Sequence, residues 1–289
     1  AFGGVSPEHE VSVISAIQAA SALTEEGHAQ LQALYIAKDG RWYMGDPLLD
    51  LKTYEQSISA DREGIEACAF SHDEYGRVIL KQLKKPSLFG KALQFTPEVV
   101  LLAFHGAEGE NGSFQGVCEQ YNLPYTGSDV LASSLGMHKA KAKQLARAAG
   151  VPVVEGFTFE ENEWVEKRQE IISKLEKLEY PFIIKPLQLG SSIGVQRVTS
   201  SEDLNIAVEE SFQYDRLLLA EKMVRPLVEI NCSVWVNKGE IKLSPCEQPK
   251  GSDDVLSFMD KYLSDESTKG MASADRIIPA PIPDSLRSA

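Results

Sequence analysis

Basic residues are in short supply in this chain: 29 lysines and arginines stand against 42 aspartates and glutamates over 289 residues, a net charge of −13. That balance argues against nucleic acid and against an anionic membrane as partners, because both are held by surplus positive charge. An acidic chain can still hold a nucleotide where lysines gather locally. Cysteines are few, and Cys68, Cys118, Cys232 and Cys246 are scattered with no CxxC or other metal spacing. They read as small buried residues of a protein kept in a reducing, cytoplasmic setting. No apolar run approaches the roughly 20 residues needed to cross a bilayer, and no signal-peptide pattern is present. Two phosphate-binding signatures are also missing. There is no GxxxxGK[ST], and no GxGxxG follows a strand. Internal repeats and low-complexity tracts are absent as well.

What the chain does contain is a lysine delivered into a glycine-serine loop. In Pro181-Phe182-Ile183-Ile184-Lys185-Pro186 a short aromatic and β-branched run is bounded by prolines and reads as a buried strand. Leu187-Gln188-Leu189-Gly190-Ser191-Ser192-Ile193-Gly194 follows. Glycines at 190 and 194 admit backbone geometry that lets successive amides converge on an anion, with Lys185 as the matching charge. The alternative is a Gly-Ser hairpin beside an incidental lysine.

Length sets the prior on organisation at two or three lobes. Ser6-Pro7-Glu8 reads as a helix start, with Ser6 as cap, Pro7 in the first turn and Glu8 at the positive end of the dipole. Val11, Ile14, Ile17 and Leu23 then form one apolar face. Residues 31–37 and 99–104 read as strands, the second fully buried. Strands alternating with helices predict an α/β region with a parallel sheet and ligands at the carboxyl ends of its strands. The loops over 3–8 and 105–116 sit at such ends, whereas 50–85 reads as an exposed polar excursion. From about Ser133 a second region is expected: a basic helix over 135–149 carrying Lys139, Lys141, Lys143 and Arg147, closed by Gly150. A helix over 164–178 follows, then strands over 182–184, 194–197, 217–220 and 229–236. Residues 221–224 read as a hinge. The chain opens at a strand-to-loop corner without an initiator methionine and closes as a helix begins near Asp284. It therefore reads as a fragment, clipped slightly at the front and substantially at the back.

Several segments together resemble the D-alanine–D-alanine ligases, an ATP-grasp family. They are Gly3-Gly4-Val5-Ser6-Pro7-Glu8-His9-Glu10-Val11-Ser12, Phe104-His105-Gly106-Ala107-Glu108-Gly109-Glu110-Asn111-Gly112-Ser113, Leu123-Pro124-Tyr125-Thr126-Gly127-Ser128 and Met137-His138-Lys139. The strand-lysine-glycine-loop segment, Glu221-Lys222 with Glu229, and Asp260-Lys261-Tyr262-Leu263-Ser264 complete the series in the family's order. The resemblance implies a parallel-sheet N-terminal domain over 1–132, a small α+β ATP-grasp lobe over 133–223, and a partial C-terminal lobe over 224–289. It implies an enzyme that phosphorylates the carboxylate of one D-alanine with ATP and lets the amine of a second displace phosphate, for peptidoglycan precursor synthesis in the cytoplasm.

Phosphoryl transfer asks mainly for positioning and charge neutralisation. The resemblance assigns Lys139 and Lys185 to the α- and β-phosphates and the loop of Gly190, Ser191 and Ser192 to the terminal phosphate. Glu221, Lys222 and Val224 take adenine at the hinge, and Glu229 the ribose hydroxyls. Glu8 receives the ammonium of the first D-alanine, the alternative being a carboxylate that only steadies its helix start. Ser191 and Tyr262 hydrogen-bond with Glu8 across the closed site, and Lys261 approaches the γ-phosphate from a loop. Ser191 is not a nucleophile, since no histidine–acid pair is arranged to activate it. His105 either orients the first substrate or serves its own loop.

The family's Mg2+ ligands, and an arginine that steadies the tetrahedral intermediate, fall beyond Ala289, so this polypeptide is expected to bind nucleotide weakly and turn over poorly. The spacing from Lys222 to Glu229 carries one residue more than expected, which puts the Glu229 assignment in question. Tyr262 favours an amine over D-lactate as second substrate. D-serine in that role, another carboxylate–amine ligase, and a non-catalytic nucleotide-binding fragment remain as alternatives. Homodimers through the first lobe are usual in such ligases, and the sequence leaves the oligomeric state open.

Overall fold

A computed structural model describes residues 1–25, 27, 30–84, 92–249, 276–283 and 286. The first sheet orders β1 (Phe2–Gly3), β2 (Leu34–Ile36), β3 (Trp42–Met44), β4 (Glu66–His72), β5 (Val78–Gln82) and β6 (Gln94–Phe95) side by side in sequence. Only β1 and β2 run parallel, pairing Phe2 with Tyr35, and each later pair is antiparallel. The α/β class stands, but the sheet is mixed rather than parallel throughout. The link from β2 to β3 explains why. Gly40, at φ +80°, closes a tight turn through Ala37, too short for a crossover, so the chain must reverse.

Parallel pairing continues on the other side of β1. Ala103 N donates to Ala1 O (2.9 Å), the Ala1 amine donates to Leu101 O (2.7 Å), and Val100 bridges Tyr125 in parallel. The segment 99–104 is therefore extended but is not the fully buried strand expected, since Val99 is 57% exposed while Val100 and Phe104 are buried. Residues 50–85 also correct their expectation. They carry β4 and β5, and Ile65, Cys68, Phe70, Ile79 and Leu80 from this stretch are buried in the core. Polar residues alternate with these apolar ones, and the alternation is that of a half-buried antiparallel hairpin.

Helix α1 (His9–Glu25) lies against this sheet through Val13 and Ala16, and Val11 is buried as well. Of the expected apolar face only Val11 is fully buried; Ile14, Ile17 and Leu23 are half-buried. Ser12 shares the core because its hydroxyl accepts from Gly3 N and donates to Ala103 O, both 2.8 Å. Helices α2 (Ala107–Glu110), α3 (Ser113–Gln120), α4 (Val130–Met137) and α5 (Lys139–Ala148) follow. The single helix expected over 135–149 is interrupted at His138, which leaves helical geometry and accepts from Lys141 N through Nδ1 (3.3 Å) as the N-cap of α5. Gly150 closes α5 as expected. At φ +80° it donates to Arg147 O, and Val151 donates to Ala146 O, the two bonds of a Schellman cap.

The second sheet is wholly antiparallel in the order β7 (Gly156–Glu160), β10 (Leu217–Lys222), β8 (Phe182–Pro186), β9 (Gln196–Val198). The hinge expected over 221–224 is thus partly strand, because β10 continues through Lys222. Helices α6 (Glu161–Glu166), α7 (Arg168–Glu176) and α8 (Leu204–Phe212) cover the sheet. Glu163 accepts from Glu160 N (2.9 Å), which starts a helix earlier than expected, and the chain breaks again at Lys167. Leu175, Phe182, Ile184, Val208 and Leu218 are fully buried between helices and sheet. Each such side chain stabilises the lobe by roughly 1.5–3 kcal/mol relative to exposure. This core holds β8 and β10 rigidly, and those two strands carry the lysine and glutamate described below.

Beyond it, β11 (Val234–Asn237) and β12 (Glu240–Leu243) form a hairpin through Lys238 and Gly239, both at positive φ, the signature of a type I′ turn. The strand expected over 229–236 is confined to its last three residues and Asn237, with Asn231 making one bridge to Glu247. Short strands β13 (Gln248–Pro249) and β14 (Arg276–Ile277) pair antiparallel.

Candidate active site

The strand β1 ends in two glycines that turn the chain toward α1. Gly3 and Gly4 sit at φ +91° and +99°, and a side chain at Gly3 would collide with Ile36 O. His9 braces this corner. Its Nδ1 lies 2.6 Å from Gly4 O and its Nε2 3.0 Å from the Tyr35 hydroxyl. A carbonyl can only accept, so Nδ1 carries a proton, while Nε2 shares a hydrogen bond with the hydroxyl of Tyr35, whose own pKa burial raises to about 12. Glu108 reaches across from α2 and accepts from Val5 N.

The corner delivers Glu8, one residue before α1, with 3% of its surface exposed. Ser6 Oγ accepts from Glu8 N (3.1 Å) and Glu8 O accepts from Ser12 N (3.1 Å), so Ser6 and Pro7 form a turn just ahead of the helix. Two glycines from distant loops make room for the carboxylate. A side chain at Gly106, φ +72°, would strike Glu8 Oε2 and Ser6 Oγ, and one at Gly190 would lie 3.3 Å from both Glu8 oxygens. Ser191 Oγ donates to Glu8 Oε1. Glu8 Oε2 is buried with no hydrogen-bond partner among the described residues. An orphaned anionic oxygen in such a place is costly unless a cation is brought to it.

Ser191 also belongs to the wall of a second feature, a cavity of about 300 Å³ between β8, β10 and the 190–194 loop. Lys139, at the start of α5, donates through Nζ to Leu187 O (3.2 Å) and to Leu189 O. Burial, reinforced by the neighbouring positive charge of Lys185, lowers its pKa to about 8. Lys185, from β8, pairs with Glu221 Oε1 from β10, and Lys143 of α5 pairs with Glu221 Oε2 at 2.5 Å. Burial works against ionisation of Glu221, yet the two lysines together hold its carboxyl below the usual range. Ile183, Val154, Met223, Val224 and Leu227 supply apolar walls. Ser191 and Ser192 both adopt left-handed geometry, φ +49° and +59°, strain of order 1 kcal/mol each that persists where surrounding contacts demand it. The site thus offers a buried carboxylate with one oxygen unpartnered among the described residues, and next to it a slot with clustered ammoniums and an apolar end.

Two family descriptions cover nearly the whole chain: D-ala D-ala ligase N-terminus matches residues 1–128, and D-ala D-ala ligase C-terminus matches residues 145–287. The chain belongs to the D-alanine–D-alanine ligase family. The D-alanine–D-alanine ligase of Thermosipho melanesiensis is 33% identical over 288 residues, which span 99% of this chain and 74% of that protein. In fold, the chain is similar to the D-alanine–D-alanine ligase of Helicobacter pylori, with a TM-score of 0.74 at 24% identity over 99% of this chain and 79% of the other. It is also similar in fold to the VanG D-Ala:D-Ser ligase of Enterococcus faecalis, with a TM-score of 0.72 at 24% identity over 99% and 77%.

Most of the residues expected from the ligase resemblance meet here. Lys139, Lys185, Gly190, Ser191, Ser192, Glu221, Lys222 and Val224 all line the cavity, and Ser191 joins it to Glu8. Lys222 places its ammonium on Glu155 at the surface (2.8 Å), so its side chain is engaged outside the slot. Glu229 is half-buried and is not on the cavity wall. Residues 223–230 carry no strand, although one was expected from residue 229 onward. His105 stands one residue before the glycine that abuts Glu8, with Nε2 2.8 Å from Ser15 Oγ. Lys261 and Tyr262 lie outside the described residues. Sequence reasoning gave no role to Lys143, Gly106 or Glu108. The spacing of Lys143 four residues after Lys139 places both on one helix face, the one available signal for its part.

Proposed function

We propose that this chain ligates two D-alanines to D-alanyl-D-alanine with ATP, in the cytoplasm, as a step toward peptidoglycan. Glu8 carries the reading. Its unpartnered oxygen suits the ammonium of an amino acid, and the serine on its other oxygen belongs to the loop that lines the lysine cavity. One loop then senses both substrates.

The residues present fit a nucleoside triphosphate. Lys139 and Lys185 supply charge for the phosphates, Ser191 and Ser192 belong to the loop covering them, and the apolar walls with Glu221 and Val224 suit a purine. ATP supplies the phosphoryl group: a carboxylate oxygen of the first D-alanine takes the γ-phosphorus as ADP leaves. The amine of the second then forms the amide bond with that carbonyl carbon, releasing phosphate and a proton. The chain's own part is to hold the first ammonium at Glu8, neutralise phosphate charge, and exclude water as the loop closes. The family implies Mg2+ as well. Among the described residues no group of three or more His, Cys, Asp or Glu side chains could hold a metal ion. Residues 1–132 form the amino-acid-binding domain on this reading, 133–223 the central lobe, and 224–289 belong to the catalytic lobe, with dimerisation through the first.

Phosphate release from ATP, followed with D-alanine alone, with D-alanine plus D-serine and with D-alanine plus D-lactate, tests the proposal. D-alanine alone should trigger release and yield the dipeptide by mass. Release indifferent to D-alanine refutes the ligase reading, and preferential D-serine incorporation reassigns the second substrate.

A further inference from the structure

Glu221 stands between two lysines of different station. Lys185 faces the cavity and holds Glu221 Oε1; Lys143 is not on the cavity wall and holds Oε2 at 2.5 Å from behind. The carboxylate is 12% exposed and the two lysines 22% each, so the cluster is largely withdrawn from solvent. The contact between Lys143 and Glu221 joins residues 78 apart in sequence, α5 to β10. Among the described residues Lys139 also interacts electrostatically with Glu221, and the residues opposite it in β7 and β8 are the uncharged Gly156 and Ile183.

If Lys185 is to serve phosphates, its ammonium is shared with them or drawn away from Glu221, and either weakens its hold on that carboxylate. We propose that Lys143 is a positioning residue for nucleotide binding, which keeps Glu221 charged and in place while Lys185 transfers to the phosphates. The inference rests on the nucleotide reading of the cavity. Without Lys143, transfer would strand a buried carboxylate, and removing one partner of a buried pair is far more disruptive than the pair is stabilising. Glu221 would then compete with the phosphates for Lys185 or take up a proton as they bind. With Lys143 in place neither happens, and the carboxylate stays available as an acceptor at the adenine end of the slot. Lys143→Met should therefore make nucleotide affinity depend on pH in a way the parent chain does not.

ADP binding by calorimetry, in two buffers of different ionisation enthalpy at about pH 7.5 and about pH 6, reads this directly. Lys143→Met should raise the Kd roughly tenfold at the higher pH, the equivalent of one pK unit of competition. The deficit should shrink at the lower pH, with proton uptake in excess of the parent chain, and Lys143→Arg should restore parental behaviour. Equal weakening at both pH values without excess proton uptake marks a merely structural lysine and overturns the proposal, as does unchanged affinity. Thermal unfolding provides an arm free of nucleotide. Lys143→Met and Lys185→Met should each lower Tm modestly, while the double variant loses more than their sum and recovers when Glu221→Gln is added. Additive losses overturn the inference. Failure of the parent chain to bind ADP, with the non-additive unfolding intact, instead refutes the nucleotide reading and the positioning role with it.

Discussion

Raising the pH from about 7 to about 9 should strip the charge from Lys139 while leaving a nucleotide's phosphates unchanged, since their last ionisation lies near 6. The ammonium is buried beside Lys185, and its pKa falls from 10.5 to about 8. Lys139 is then roughly nine-tenths protonated at pH 7 and one-tenth at pH 9. If the phosphates need that ammonium, the apparent Kd for ADP should rise about tenfold across the interval. The same shift has a consequence for folding. Between pH 8 and about 10.4 the unfolded chain holds a proton that the folded chain has released, so stability contributed by this group rises with pH over that window. Below pH 8 the full penalty is present, at most about 3 kcal/mol and reduced by the solvent reaching its half-exposed flank. Calorimetric titration with ADP from pH 6.5 to 9.5 measures the affinity, beside Lys139→Arg, whose charge persists above pH 12. The arginine variant should show a flat profile over the upper half of the range. A flat profile in the parent chain, or an identical slope in the variant, refutes the assignment of Lys139 to the phosphates.

Other outcomes follow from the same geometry. Glu8→Gln preserves the size of the side chain and the bond from Ser191 but removes the charge opposite the amino-acid ammonium; the KM for D-alanine should rise roughly hundredfold or more with Tm little changed. An unaltered KM in steady-state phosphate release removes Glu8 from the substrate site. Gly106→Ala forces a methyl group into Glu8 Oε2 and Ser6 Oγ at φ +72°, so it should both impair D-alanine binding and lower stability by at least about 1 kcal/mol in urea unfolding. Gly150→Ala meets open space but keeps φ +80°, and it should cost about 1 kcal/mol in urea unfolding with ADP affinity unaffected.

Much of the site was readable because its parts are local. A lysine at the end of an apolar run, a glycine-serine loop directly after it, and a glutamate beside a double-glycine corner each declare themselves within ten residues or so. The elements read less well where two patterns overlap. His138 could continue a helix or cap a new one, and its imidazole bonding to Lys141 N decided for the cap. The hairpin β4–β5 was hidden by its polar face, since a half-exposed sheet shows only every second residue to the core. Glu229 was assigned by the resemblance alone, and the strand expected from residue 229 begins only at Val234.

The chain's residue types and short-range turns determined which side chains would be charged, which corners needed glycine, and that strands and helices would alternate. Tertiary packing decided the partners that residue types leave open. Ser191 meets Glu8 across 183 residues, a pairing that only the family resemblance implied, and Lys143 meets Glu221 across 78, a pairing that nothing in the sequence implied; among the described residues those contacts leave one Glu8 oxygen unpartnered and divide the lysines between cavity and support. Local sequence sets the conformation each residue can adopt, but the carboxylate a distant lysine will find depends on how rigid sheets and helices fit together over their buried faces.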